Sequence, residues 1–114
     1  MKIETENRHI LLIWEYKIRK QKKLVNEVEY AYYSASFPTE LQTFLDTRDV
    51  WLKENEGNIF LFPVEEEDSK KIRISKSGKE SFSFSLPKDL FPLLDERNFL
   101  RIVFDGESIV LSLF

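Results

Sequence analysis

Two groups of basic side chains are the residues of this chain best suited to a defined chemistry, the neutralisation of phosphate groups. The first group is Arg19, Lys20, Lys22 and Lys23, and the second is Lys71, Arg73, Lys76 and Lys79. Basic side chains that contact phosphates release counterions, which gives a salt slope of about −0.9 per contact on B-DNA. Lysines also keep sheet edges soluble, so a purely structural role stays open.

Aromatic side chains on an open sheet would supply a second kind of contact, because unpaired bases stack on them. The candidates are Tyr16, Tyr30, Tyr32 and Tyr33. A tyrosine in a strand is more often half-buried packing, and that alternative also stays open.

Residues for catalysis or metal binding are scarce. The chain has no Cys, which removes disulfides, thiolate ligands and a Cys nucleophile. His9 is the single histidine and has no identifiable partner that would make it a general base. The acidic run at residues 65–68 lacks the spaced ligands and the glycine of a calcium loop. We therefore expect no enzyme activity, no cofactor and no metal site.

Composition indicates one folded domain spanning residues 1–114. Ten Phe, four Tyr and two Trp supply large side chains for a core. The net charge of −3 is unevenly placed, with −5 over residues 1–69 and +2 over residues 70–114. The total charge does not favour a polyanionic partner, although a local basic patch can still bind one.

The N-terminal sequence is mixed and charged, unlike a signal peptide. The longest apolar run, residues 10–14, falls far short of the roughly 20 residues that cross a bilayer. We expect a soluble, cytoplasmic protein without membrane contact, either a monomer or a homodimer.

Alternating apolar and polar residues predict that the chain is mainly β. After a loose segment at residues 1–9, strands at residues 10–18 and 28–32 are predicted to form a hairpin with residues 19–23 as its turn. Pro38 then opens a two-turn helix, because proline suits the first turn of a helix. Two further strands are predicted in the first half, at residues 50–53 and 59–64.

The pattern restarts after an exposed acidic linker at residues 65–69. Strands flank a predicted turn at residues 76–79, and Pro87 opens a short helix that Pro92 must interrupt or kink. The last two strands are predicted at residues 100–104 and 109–114.

An internal repeat accounts for this order of elements. At an offset of 49, residues 32–57 and 81–106 share eight identities in 26 positions, although the third strand needs a slip of one residue. We predict pseudo-repeats at 10–64 and 70–114 that form a small barrel of about seven or eight strands with one or two short helices. Shared hairpin patterning without duplication is the alternative.

The stretch from Ser81 to Leu90, a short helix ending near Asp95 and a final hairpin with an Asp105-Gly106 turn resemble the AbrB/MazE/SpoVT family of swapped-hairpin DNA-binding domains. The resemblance is best over residues 71–114, and a weaker version covers about 14–63. Family members build one barrel from two identical chains, so the resemblance implies a pseudo-dimer within one chain. Pro92 departs from the family pattern, as does the lack of a glycine after the helix.

The resemblance also implies a function. In the family, the loop joining the first two strands of each unit carries the basic residues that reach DNA, and the two basic groups match those loops. We expect a small regulatory protein that contacts DNA or RNA through two basic hairpin turns. An RNA-binding small barrel of the PUA-like kind and a protein-interaction module such as an antitoxin are the alternatives. Wrapping of a toxin by a flexible tail is not expected, because the sequence stops on its last strand at Leu113-Phe114.

Overall fold

A computed structural model describes the backbone of residues 2–4 and 10–114 and the side chains from residue 11 onwards. His9 lies outside the described residues. The elements in chain order are β1 (Lys2–Glu4), β2 (Ile10–Lys17), β3 (Arg19–Val25), β4 (Val28–Phe37), α1 (Thr39–Leu45), β5 (Asp49–Asn55), β6 (Asn58–Phe62), β7 (Lys70–Arg73), β8 (Ser75–Lys76), β9 (Phe82–Ser85), β10 (Phe99–Phe104) and β11 (Ile109–Leu113). The prediction of a mainly β chain is confirmed.

The strands form two antiparallel sheets. The large sheet has the order β1-β2-β10-β11-β6-β5-β7, and the small sheet has the order β3-β4-β9-β8. Part of the predicted loose N-terminal segment is a strand, because Lys2–Glu4 pairs with β2. The strand lies at the edge of the large sheet.

Alternate residues of both sheets point into one core. The buried apolar side chains include Ala35, Phe37 and Phe84 from the small sheet, Val50, Leu52, Ile102 and Leu111 from the large sheet, and Leu41, Phe91 and Leu94 from the connecting segments. A large apolar side chain that leaves water completely contributes about 1.5–3 kcal/mol. This shared core holds the small sheet in a fixed orientation and leaves its other face free.

The predicted barrel of seven or eight strands is not found. The chain passes from the large sheet to the small sheet at Ile18, between β2 and β3, and again at Ile74, between β7 and β8. Both isoleucines are buried, and their N–H groups donate to Asn98 O at 2.8 Å and Arg48 O at 2.7 Å. These crossings divide strands that the sequence pattern presents as continuous, so the described residues contain more strands than predicted, in two open sheets.

The predicted turn at residues 19–23 is wrong, because these residues belong to β3. The hairpin instead turns at Asn26 and Glu27, whose φ angles are 51° and 66°. Two consecutive residues with positive φ form the type of turn whose twist matches that of paired strands. The polar pattern of β3 is explained by its exposure, since all seven of its residues are exposed.

A second regular helix does not form after Pro87. Phe91 N–H donates to Pro87 O at 3.0 Å and Leu94 N–H donates to Phe91 O at 3.3 Å, which makes successive turns. Pro92 has no N–H to continue a helix. Within residues 10–114, α1 is therefore the only regular helix.

The pairing within the small sheet is symmetric about one residue pair. Ala35 lies opposite Phe84, and these residues are separated by the repeat offset of 49. On either side, Ser34 pairs with Ser85 and Ser36 pairs with Ser83. Ser34 therefore pairs with the repeat counterpart of Ser36, and Ser36 pairs with the repeat counterpart of Ser34.

The large sheet follows the same rule at an offset of 50. Phe60 lies opposite Val110, and Ile59 and Leu61 pair with Leu111 and Ile109. The change of offset from 49 to 50 matches the one-residue slip that the apolar pattern requires. Duplication of an ancestral segment remains a prediction, but the strand registers have the symmetry that it would produce.

Candidate nucleic-acid interface

One face of the small sheet is turned away from the core. Tyr33, Ala35 and Phe37 of β4 are buried, so the residues that alternate with them point outward. With their cross-strand partners they define the outer face: Arg19, Gln21, Lys23, Val25, Val28, Tyr30, Tyr32, Ser34, Ser36, Ser75, Ser83 and Ser85. No Asp or Glu stands among these strand residues, although the chain has twenty acidic residues. The outer face is therefore a basic, hydroxyl-rich surface on an acidic protein.

Arg19 lies across the centre of this face. Its Nε and Nη1 donate to Ser34 Oγ at 3.3 Å and Ser36 Oγ at 3.4 Å. Lys23 stands opposite Tyr30 in the ladder. Neither Arg19 nor Lys23 forms an ion pair with a described residue, so both positive charges remain available to an external anion.

The hairpin of β3 and β4 extends well beyond the body of the sheet. Ten residues lie between Gln21 and Tyr32, which pair at the base of this extension. At the corresponding place in the other half, only three residues lie between Ser77 and Ser81, which are joined by a hydrogen bond from Ser77 N–H to Ser81 O. We call residues 21–32, which carry this extra length, the arm. Every residue of the arm is exposed, and its five strand pairs span about 17 Å at the usual rise per residue. The arm is a two-stranded ribbon with solvent on both faces.

Two of the predicted phosphate-binding residues lie on the opposite, inner face of this hairpin. Lys20 Nζ donates to Asp95 O at 3.4 Å and to Asn98 Oδ1 at 3.3 Å. Lys22 Nζ lies 3.4 Å from Glu29 Oε1 in an exposed ion pair. Such a pair contributes little to stability, but it reduces the charge that Lys22 offers to a ligand.

The second basic group is divided between two places. Lys71 and Arg73 lie on β7, at an edge of the large sheet. Arg73 Nη1 is 3.2 Å from Asp49 Oδ1, and Lys71 Nζ lies 5.9 Å from the centre of the Trp51 ring. These residues point away from the outer face and already have partners.

Lys76 and Lys79 lie at the predicted second hairpin turn, which connects β8 to β9. Lys76 pairs with Phe82, and Phe82 points inward because it alternates with the outward Ser83 and Ser85, so Lys76 does not belong to the outer face. Both lysines line an open cleft beside α1. The eight predicted basic residues are thus spread over four locations, and only Arg19 and Lys23 share the outer face.

Of the four tyrosines predicted as stacking candidates, two are exposed in the structure. Tyr30 and Tyr32 are 46% and 50% exposed on the outer face. Tyr16 is half-buried on the large sheet, where burial and then the charge of Glu40 raise its pKa. Tyr33 is buried beneath the small sheet, so its ring is not available to a base.

Tyr33 instead anchors the base of the arm. Its hydroxyl donates to Asp95 Oδ1, and this hydrogen bond, assisted by the charges of Lys88 and Lys20, lowers the pKa of Asp95. Lys88 Nζ lies 3.4 Å from Asp95 Oδ2 and 5.1 Å from the centre of the Tyr33 ring. The network ties β4, at the base of the arm, to the segment after β9.

The sequence contained a signal for the outer face that composition alone does not reveal. A serine at every second position occurs in both halves, as Ser34 and Ser36 and as Ser83 and Ser85. On a strand this spacing places all four hydroxyls on one face. Their union into one surface depends on the pairing of β4 with β9, which the sequence pattern does not specify.

The sequence matches no protein-family model, and neither a curated protein nor a solved structure is significantly similar to it. Within the described part of the chain, acidic and histidine side chains nowhere gather in a group of three or more that could hold a metal ion. No helix in that part is long and apolar enough to cross a membrane.

Proposed function

We propose that the protein is a non-catalytic, nucleic-acid-binding regulator that contacts duplex DNA with the outer face of its small sheet and with the arm. The observation that carries this proposal is that no carboxylate stands among the strand residues of the outer face, which presents Arg19, Lys23 and a row of hydroxyls. A duplex approaching an acidic protein is repelled by most of its surface. An acid-free face offers it a favourable orientation.

The order and pairing of the elements support a relationship to AbrB-like swapped-hairpin domains. Each half contains a strand that crosses between the sheets, a second strand, a helical segment and a hairpin. The β5–β6 hairpin of the first half pairs with β7 of the second, and the β10–β11 hairpin of the second half pairs with β2 of the first. We infer that duplication placed both halves of a swapped dimer in one chain.

The outer face has suitable groups for the sugar-phosphate backbone. Arginine and lysine neutralise phosphates, and serine and tyrosine hydroxyls donate hydrogen bonds to phosphate oxygens. The arm adds a two-stranded ribbon, an element that the major groove of B-DNA is wide enough to admit. Because the arm belongs to one half only, the contact would be asymmetric, unlike that of a dimer of identical chains.

Single-stranded RNA is the second candidate ligand, and one observation favours it. Tyr30 and Tyr32 are half exposed, point to the same side of β4 and lie beside Lys23 and Gln21. Adjacent aromatic rings on a sheet stack with unpaired bases, each for about 1–3 kcal/mol. A comparison of the two nucleic acids at equal salt decides between the candidates.

The test is fluorescence anisotropy with labelled duplex DNA and labelled single-stranded RNA. The variant Arg19→Ala/Lys23→Ala removes both free charges of the outer face, and Lys71→Ala/Arg73→Ala removes the same charge from the edge of the large sheet. We expect the first variant to lose about tenfold or more in affinity for the preferred ligand and the second to bind almost as the wild type does. Equal losses in both variants, or no binding by the wild type, would contradict the proposal.

A further inference from the structure

A cleft of about 750 Å³ lies between the end of α1 and the β8–β9 turn. Gln42, Arg48, Lys76, Lys79 and Phe82 are among the residues that line it. The cleft is open to solvent and is large enough to admit a small molecule. None of these five residues belongs to the outer face, so the cleft is a separate surface.

Gln42 is the buried polar side chain of the described core, only 8% exposed. Its Nε2 donates to Thr47 O at 2.8 Å, whereas its Oε1 is shielded from solvent and accepts no hydrogen bond. A buried acceptor without a partner costs about 1–3 kcal/mol. The repeat counterpart of Gln42 is Phe91, which is 2% exposed, so this fold accepts an apolar side chain at the position. The bond to Thr47 O accounts for the Nε2 end of the amide, whereas Oε1 is left without a partner among the described residues.

The cleft also contains basic side chains that have no partner among the described residues. The side chains of Arg48, Lys76 and Lys79 have neither an ion pair nor a hydrogen bond with any described residue. Asp46 and Glu80 border the same cleft. A ligand matching this mixture carries an anionic group together with N–H or O–H donors.

The corresponding place in the other half is bridged by side-chain hydrogen bonds that this half lacks. There Tyr33, the counterpart of Phe82, donates to Asp95, the counterpart of Asp46. Lys20 stands opposite Tyr33 as Lys76 stands opposite Phe82, and it is hydrogen bonded to Asp95 and Asn98 between β9 and β10. The phenylalanine at position 82 has no hydroxyl, so this half cannot form the closing hydrogen bond.

We propose that the cleft binds a nucleoside monophosphate whose base carries an exocyclic amino group. The phosphate contacts Lys76, Lys79 and Arg48, the base lies against the Phe82 ring, and the amino group donates to Gln42 Oε1 once the amide turns toward the cleft. A free nucleotide and the terminal nucleotide of a strand offer the same chemistry. The inference is independent of the proposed function, since none of its residues lies on the outer face.

Calorimetric titration of the full chain with AMP, adenosine, inorganic phosphate and a 5′-phosphorylated trinucleotide tests the proposal. We expect AMP to bind at least tenfold more tightly than adenosine or phosphate, and Lys76→Ala/Lys79→Ala to lower AMP affinity at least tenfold. If the trinucleotide binds more tightly than AMP, the source is a strand; if AMP binds more tightly, the source is a free nucleotide. Either order supports the site.

Gln42→Leu provides the second test because it removes Oε1 and leaves every basic side chain of the cleft in place. We expect it to lower AMP affinity about tenfold, with thermal unfolding recorded to show that the variant is folded. Arg19→Ala/Lys23→Ala should leave AMP affinity unchanged, which separates this site from the outer face. Phosphate binding as tight as that of AMP, or full AMP affinity in Gln42→Leu, would overturn the proposal.

Discussion

Ala35 and Phe84 lie directly opposite each other at the centre of the small sheet, although both occupy the same position of the sequence repeat. Two identical chains would place the same side chain twice at this point. The single chain instead combines a small residue with a large one, and the Phe84 ring meets Phe37 edge-on at 5.7 Å. The two halves are complementary at this point, and the differences between them indicate where each half acts separately.

The clearest difference in packing predicts a stabilising substitution. Phe44 packs against Phe104 with ring centres 4.7 Å apart, whereas the counterparts of these residues are Leu93 and Glu54. Leu93 and Glu54 line a cavity of about 340 Å³. We expect Leu93→Phe/Glu54→Phe to fill it and to raise the free energy of unfolding by about 1–2 kcal/mol, measured by urea denaturation.

Phe44→Ala/Phe104→Ala is the matched variant of the other half. It should destabilise the protein, because it removes a ring pair that already exists. If the phenylalanine pair at positions 54 and 93 lowered stability instead, the two places would not be equivalent.

The lowered pKa of Asp95, at the base of the arm, predicts that folding stability depends on pH in the acidic range. Its folded pKa is below the ordinary value of 3.8, first because of the Tyr33 hydrogen bond and then because of the Lys88 charge. A lowered folded pKa contributes stability above the unfolded pKa, and this contribution is lost as the pH falls through the folded value. We expect Tyr33→Phe to raise the pKa of Asp95 and to reduce the stability lost on acidification below pH 3.8.

Carboxyl carbon shifts recorded by NMR across this pH range measure the effect. Asp105 is the internal control, because its pKa is lowered by backbone N–H groups of Ser108 and Glu107 rather than by Tyr33. An unchanged Asp95 titration in Tyr33→Phe would show that the hydroxyl does not bind this carboxylate.

Removal of the exposed tyrosines should lower the affinity for single-stranded RNA more than the affinity for duplex DNA. Tyr30→Ser/Tyr32→Ser removes both stacking rings and leaves every charge in place. We expect affinity for single-stranded RNA to fall by one to two orders of magnitude, since each stacked base contributes about 1–3 kcal/mol. Duplex DNA should lose less, because its bases are already stacked on one another. Anisotropy at one salt concentration compares the two ligands, and equal losses for both would argue against stacking.

Much of the fold follows from local pattern. Alternation predicts the strands, Pro38 marks the start of α1, and Pro92 explains why no second helix forms. The arm was missed because lysine-rich segments are typical of turns, and only the pairing with β4 shows that residues 19–23 continue a strand. The division into two sheets was missed because the crossings at Ile18 and Ile74 have ordinary strand composition.

The candidate site was harder to predict than the fold because it depends on pairing across the repeat. Arg19 and Lys23 were predicted with six other basic residues, and their common face could be recognised only from the register of β3 with β4. Gln42 gave no signal at all, since a glutamine in a helix is ordinary. Its burial became informative only by comparison with Phe91.

Replacement of the arm is the measurement that tests the central claim most directly. Residues 21–32 can be exchanged for the shorter segment 77–81 of the other half, which occupies the corresponding place in its hairpin. Each segment has as many basic as acidic residues, two of each in 21–32 and one of each in 77–81, so the exchange leaves the net charge of −3 unchanged. The arm is exposed throughout, so the melting temperature should change little.

The quantity to measure is the salt dependence of binding to duplex DNA. If the arm and the outer face form the interface, the exchanged variant will bind at least tenfold more weakly. Its slope of log affinity against log salt will also be shallower, by about 0.9 for each phosphate that the variant no longer neutralises. A folded variant that keeps the affinity and the slope of the wild type would contradict the account.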